Sequence, residues 1–368
     1  MSYTYPMKIN SMVFNNFSRV QVKPNIDEGF QTKDVKAQWG GISSAHMSYP
    51  LAKQVSFGWN FFTNLKDVPC PCCGGKMIIS KEFSQKLTDD VLLQTSSYAV
   101  KHLGQLQEYM HTVEKACFDK IREVSKKNPN GNLQEILLKI LPEHLKRLKL
   151  NQFKVLDKID AMSNDLSIDS ALKLRQITTN ARFIIMEDTN FSPFKRKPLL
   201  AAMSSLKEEL PEKDIATKIC ETINDLPSSS NDLSAFIVKY SRRSPREIGQ
   251  RLISPSVVTV EHVNPQHPLE GVSKGENNPR NYMLECAGCN SKRGNTPLDE
   301  WIHKNHAEML VNVQKYIDFI IDKINSKVLV NYESYPEDVA KTLREQSKGL
   351  IELDVSRLNV HPKISVAD

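Results

Sequence analysis

Two sets of residues in this chain have types and spacings that could do chemistry. The first is Glu261-His262, a carboxylate and an imidazole at the end of the β-branched run Val257 to Val260 and just before the turn Val263-Asn264-Pro265. A strand that ends this way is expected to deliver both side chains to the mouth of a loop. Asn281 follows His262 by 19 residues, Asn290 follows Asn281 by nine, and Lys292, Arg293 and Gly294 come next. One Glu-His pair is common by chance, whereas the ordered set, with strand, loop, strand and helix around it, is far more specific. The second set is made of cysteines. Four of the seven fall into two C-x-x-C pairs, Cys70/Cys73 and Cys286/Cys289. Two such pairs supply the four thiolates of a tetrahedral Zn²⁺ site, and the glycines Gly74 and Gly288 permit the tight turns that aim backbone amides at sulfur. A redox C-x-x-C is the competing reading, and Cys72 offers a competing sulfur within the first pair.

The stretch Glu261-His262-Val263-x-Pro265, continued by Asn281-Tyr282-Met283-Leu284-x-Cys286-x-x-Cys289-Asn290-x-Lys292-Arg293-Gly294, resembles the signature of HNH (ββα-metal) endonucleases, including the HNH domain of RNA-guided CRISPR nucleases. The resemblance spans about 40 residues and takes in the Cys70 knuckle, where Cys-Pro-x-Cys-Gly is the common form and Cys72 falls at the variable position. It implies a catalytic role for each matching residue. His262 would be the general base toward water, and Glu261 a ligand of a catalytic Mg²⁺ or Mn²⁺. Asn281 would tie the loop by hydrogen bonds to backbone, and Asn290 would give the ion its amide oxygen. It also implies a structural zinc on Cys70, Cys73, Cys286 and Cys289. The chemistry is coherent. Phosphodiester hydrolysis needs an activated water, which an imidazole can supply near neutral pH, and a hard cation to offset developing charge.

The elements that would position these groups are legible in outline. Residues 1–79 read as an irregular N-terminal region with a short strand around Lys53 to Phe62, ending in the first knuckle and a return strand at Met77-Ile78-Ile79. Residues 80–238 change character. Glycine nearly vanishes, and Leu133, Ile136, Leu137, Ile140, Leu141, Leu145 and Leu148 recur at helical spacing. Further helices are expected over Asp165 to Ala181 and Pro211 to Asp225. Breaks fall at residues 128–131, 162–165, 192–193 and 226–230. Residues 239–325 read as the catalytic core: a basic stretch, two short strands, the second knuckle, and one long amphipathic helix from Asp299 to Ile324. Residues 326–368 form a C-terminal extension. The fold class expected is α+β, a small ββα-metal core interrupted by a large all-α insert. Cys73 and Cys286 stand 213 positions apart, so the insert must leave and re-enter beside the metal, which chain entropy tolerates in a surface loop.

Nucleic acid, DNA above all, is the partner the resemblance implies. Lys292 and Arg293 are candidate phosphate contacts, against the alternative of a solvated helix start. Arg242, Arg243 and Arg246 lie just before the catalytic strand and could line a groove, or could form a solvated linker. His267 reads as a loop histidine or a substrate contact. His102, His111, His144, His303 and His306 read as structural or solvent-facing, and Cys117 and Cys220 as buried apolar residues. A formal charge of +6 permits a polyanionic partner without demanding one. Met1 to Phe14 has no export-signal pattern, and apolar runs such as Phe183 to Met186 are too short for a bilayer, so a cytoplasmic protein is expected. An HNH core with a helical insert and no DNA-reading domain resembles effector nucleases of bacterial anti-phage defence, which often work with an ATPase; the insert would then dock that partner. A catalytically silent, zinc-stabilised nucleic-acid-binding module is the other reading.

Overall fold

The computed structural model describes residues 65–78, 94–188, 194–207, 213–266, 274–305 and 308–359, all within one compact unit, Val55–Asp368. The strand expected around Lys53 to Phe62, the break at 192–193, Ile79, His267 and His306 lie outside the described residues. The fold is α+β and mostly helical, with a two-stranded antiparallel sheet.

The helical region runs α1 (Ser96–Leu103), α2 (Thr112–Ser125), α3 (Leu133–Ala161), α4 (Ile168–Glu187), α5 (Arg196–Lys207), α6 (Lys213–Asn224), α7 (Leu233–Tyr240) and α8 (Pro245–Ile253). Its starts follow local chemistry. The Asn132 side chain accepts from Glu135 N and the Asp232 side chain from Ala235 N. Ser244 and Glu247 form a reciprocal capping box before Pro245. The long α3 joins two clusters. Its first half packs Leu133, Ile136 and Leu137 with Leu103, Phe118, Ile121 and Phe236. Its last turns pack Val155, Leu156 and Ile159 with Leu174, Leu199, Ile219 and Ile223.

Ile248, Leu252 and Ile253 of α8 belong to the first of those clusters. The boundary expected at residue 238 therefore moves. The basic stretch 239–251 covers the end of α7, a turn and most of α8, and the apolar face of α8 is buried against α2 and α3.

The site-bearing part follows: β1 (Val258–His262), β2 (Tyr282–Cys286), α9 (Ala287–Arg293), α10 (Leu298–Asn305), α11 (Met309–Asn325) and α12 (Tyr335–Gln346). The strands pair in register from Val258↔Cys286 to His262↔Tyr282. The single helix expected over Asp299 to Ile324 is two helices. The apolar spacing carries on across the joint, but Met309 takes the buried place and Leu310 turns to solvent. Residues 326–359 are no appendage either. Leu329, Tyr335, Val339, Leu343, Ile351 and Leu358 share one core with Leu65, Val68, Met77, Met283, Leu284 and Ile317. The first knuckle's Cys70 and Cys72 belong to that same core. Among the described residues no helix is long and apolar enough to cross a membrane.

Candidate metal centre and hairpin site

The first knuckle is a tight turn. Cys70 N donates to Gly75 O and Gly74 N to Cys70 O, both at 2.8 Å, and Met77 N donates to Val68 O at 2.9 Å. Gly74 sits at φ +71°, and a Cβ there would come within 2.7 Å of Asn312 Oδ1. That contact is useful, since Asn312 Nδ2 donates to Cys72 O at 3.0 Å and so pins the turn to α11. Ile78 then pairs with Val257: Ile78 N donates to Ser256 O and Val258 N to Ile78 O. This short bridge, in place of a full return strand, docks the knuckle beside β1.

The second knuckle begins where β2 runs into α9. Cys286 caps α9, its sulfur accepting from Cys289 N at 3.4 Å. The two pairs converge across the chain. The sulfurs of Cys70, Cys73, Cys286 and Cys289 lie within 4.8 Å of one another, so these four residues could hold a metal ion. A tetrahedral ion with metal–sulfur bonds of about 2.3 Å requires sulfurs about 3.8 Å apart; Cys73 and Cys286 stand at 3.9 Å. Hydrogen bonding from Cys286, then Cys289 and Cys70, holds the Cys73 thiol far below its ordinary range, while the bonds to Cys286 and Cys70 hold Cys289 far above. His111, at the start of α2, packs against Gly288 and also favours the Cys73 thiolate. Sequence placed no function on that histidine.

At the other end of the hairpin the adjacent Glu261 and His262 point to opposite sides, as successive strand residues must. His262 is half-buried on the open side. Its ring meets Tyr282 edge-on at 4.9 Å between centroids, and Nε2 makes a long contact of 3.4 Å with Asn277 Oδ1, which also accepts from the Tyr282 hydroxyl. Asn277 and Tyr282 carried no expectation from the sequence. Asn281 is buried: its Oδ1 accepts from Asn264 N at 2.7 Å, and Nδ2 donates to the carbonyls of Asn264 and Glu276. It thereby closes the loop between the strands. Gly275 is needed there, since a Cβ would fall 1.9 Å from Asn264 O. Asn290 Nδ2 donates to Thr259 Oγ1 and Val260 O, which ties α9 to β1.

Two expectations are corrected. Arg293 is not a surface phosphate contact. It is buried in an ion pair with Glu261 Oε1, and it donates to the carbonyls of His262, Val263 and Thr296. Glu261 does not reach the loop mouth beside His262; the residue is 5% exposed and its carboxylate is committed to Arg293. Burial pushes the Glu261 carboxyl up to about 7, against the opposing pull of Arg293. Lys292, Arg242, Arg243 and Arg246 are exposed, and Arg243 pairs with Glu247.

Behind β2 runs a chain of hydroxyls. Leu284 N donates to Tyr316, Tyr316 meets Tyr335 at 2.8 Å, and Tyr335 donates to Tyr282 O. The C-terminal helices thus hold the strand that carries Tyr282 and Cys286. Comparison with protein-family models, with curated proteins and with solved structures gave no match.

Proposed function

We propose that the chain is an HNH-type nuclease that hydrolyses DNA phosphodiester bonds, with His262 as general base and a structural zinc on Cys70, Cys73, Cys286 and Cys289. The observation that carries this reading is the order of parts around one hairpin. A strand ends in His262, a loop is closed by the buried Asn281, a second strand runs back, and a helix follows whose Asn290 is bonded to the first strand. Four thiolates at its base fit zinc.

The chain's own groups suit the proton transfer. His262 is half-buried, set edge-on against Tyr282 and in contact with Asn277 Oδ1, and an imidazole so oriented suits a base toward water. The exposed Lys292, Arg242, Arg243 and Arg246 are groups for the phosphate backbone. A catalytic Mg²⁺ or Mn²⁺ belongs to the reading, supplying charge stabilisation at the phosphate. Asn290 fits it, because its amide nitrogen is anchored and its oxygen is the remaining donor. Glu261 as placed does not fit, because Arg293 holds it. That same pair favours the second reading, a zinc-stabilised module that binds nucleic acid and does not cut.

Plasmid cleavage by the full chain in Mg²⁺ or Mn²⁺ separates them. A nuclease loses roughly a hundred- to ten-thousand-fold in rate on His262→Ala. Cleavage that survives this substitution overturns the assignment of His262, and binding without cleavage across metals and strand types establishes the silent module.

A further inference from the structure

Beside the four-cysteine cluster lie two further groups that can ligate a metal. Cys72 is buried in the first knuckle, and Glu285 is the residue before Cys286 on β2. One sulfur from Cys72, one carboxylate oxygen from Glu285 and the sulfur of Cys289 lie within 4.8 Å of one another, all three residues buried. Glu285 is 1% exposed, and its Oε2 is buried with no hydrogen-bond partner. A carboxylate oxygen in that position is costly unless a cation or a proton satisfies it. No side-chain cation is bonded to it: among the described residues Arg293 is the one buried Arg or Lys, and although its charge acts on Glu285, it is paired with Glu261. One divalent ion on four thiolates leaves that cluster negative, so it offers the Glu285 carboxylate no relief.

We infer that a second divalent ion of the zinc class binds between Cys72, Glu285 and Cys289, with the Cys289 thiolate bridging the two ions. Two thiolates and a carboxylate form a borderline-soft donor set, which selects Zn²⁺ over Mg²⁺ or Ca²⁺. The carboxylate can ligate through one or both oxygens. Cys72 and Glu285 each give up a proton on binding, and the ion's two charges cancel the two that they then carry. Asn312, which grips the Cys72 carbonyl, presets the sulfur's position. The inference does not depend on nuclease activity.

The test is metal content of the full chain after saturation with zinc sulfate and removal of loose ions, read by native mass spectrometry with elemental analysis. Wild type is expected to keep about two zinc ions, and Cys72→Ala and Glu285→Gln about one each. Circular dichroism checks that both variants fold. Loading with ¹¹³Cd is expected to give two resonances coupled through the shared sulfur. One zinc in wild type, unchanged in both variants, overturns the inference and leaves Cys72 and Glu285 protonated. Folded wild type without zinc overturns this site and the four-cysteine site together. Should a variant fail to fold, the wild-type stoichiometry and the ¹¹³Cd coupling decide alone.

Discussion

Arg293 shows how one side chain can serve as a frame. Its guanidinium reaches Glu261 and the carbonyls of His262, Val263 and Thr296, so it fixes the backbone on both sides of the candidate base. Lysine offers no planar fork and cannot replace it. Removing one partner of a buried pair strands the other, at a cost of about 3–5 kcal/mol, whereas replacing both by apolar groups is often neutral. Arg293→Met is therefore expected to destabilise by about that amount in urea melts, and Glu261→Met/Arg293→Met to recover only the part due to the stranded carboxylate, since the three carbonyls stay unpaired in both. An additive double variant would show that the pair is not the frame. The sequence exposed the residue types at positions 261, 262, 281 and 290 but not this pairing. Arg293 lies 32 positions from Glu261, and its place after Lys292 in a short helix reads as surface charge until the burial is known. Asn277 and Glu285 were illegible for the same reason: each gains its meaning only from a partner brought in by the fold.

At the scale of elements, the two strands of the hairpin, both knuckles and the helical periodicity are readable, because caps, glycines and apolar spacing act locally, whereas the return strand expected at residues 77–79 is a short bridge at Ile78. The joints were less so. The spacing from Trp301 to Ile320 carries through the break between α10 and α11, and nothing local marks α8 as part of the all-α region. Gly74 is a local signal with a distant reason. Its positive φ alone would cost alanine about 1–2 kcal/mol, and the added methyl would strike Asn312. Gly74→Ala should lower the melting temperature of the zinc-loaded protein. In an Asn312→Ala background the penalty should shrink, and equal penalties would show that backbone strain alone accounts for the loss. The helical region has its own pH signature. His144 on α3 is buried against Ser234, with Nδ1 at 3.0 Å from the hydroxyl, and burial holds its pKa below 6.5 despite Glu143 and Asp232, while Arg147 and Lys120 add to the lowering. The unfolded chain then binds the proton more readily than the native one, so stability falls as pH drops below about 6.5. His144→Gln should flatten that slope in denaturation between pH 7 and 5; an unchanged slope would place the acid sensitivity elsewhere.

For the whole molecule, the question is how far the metal centre's influence reaches. The knuckle at 65–78 is joined to the rest of its core by sulfur, by the Ile78–Val257 bridge and by Asn312, and that core extends through α11 and α12 to Leu358. Thiolates left without an ion repel one another, and metal binding to such sites is linked directly to folding. The far end of the helical region, where the last turns of α3 pack with α4, α5 and α6, has a separate apolar cluster that shares no residue with the first. Local unfolding follows such cooperative units. Stripping metal with a strong chelator is therefore expected to raise hydrogen exchange in residues 65–78, in β1 and β2, and in α11 and α12, while Leu156, Leu174 and Ile219 keep their protection. Returning zinc should restore the first set. A uniform loss across α4 to α6 would mean that the long α3 transmits the metal's stabilisation from end to end, and that the helical region answers to the site rather than standing apart from it.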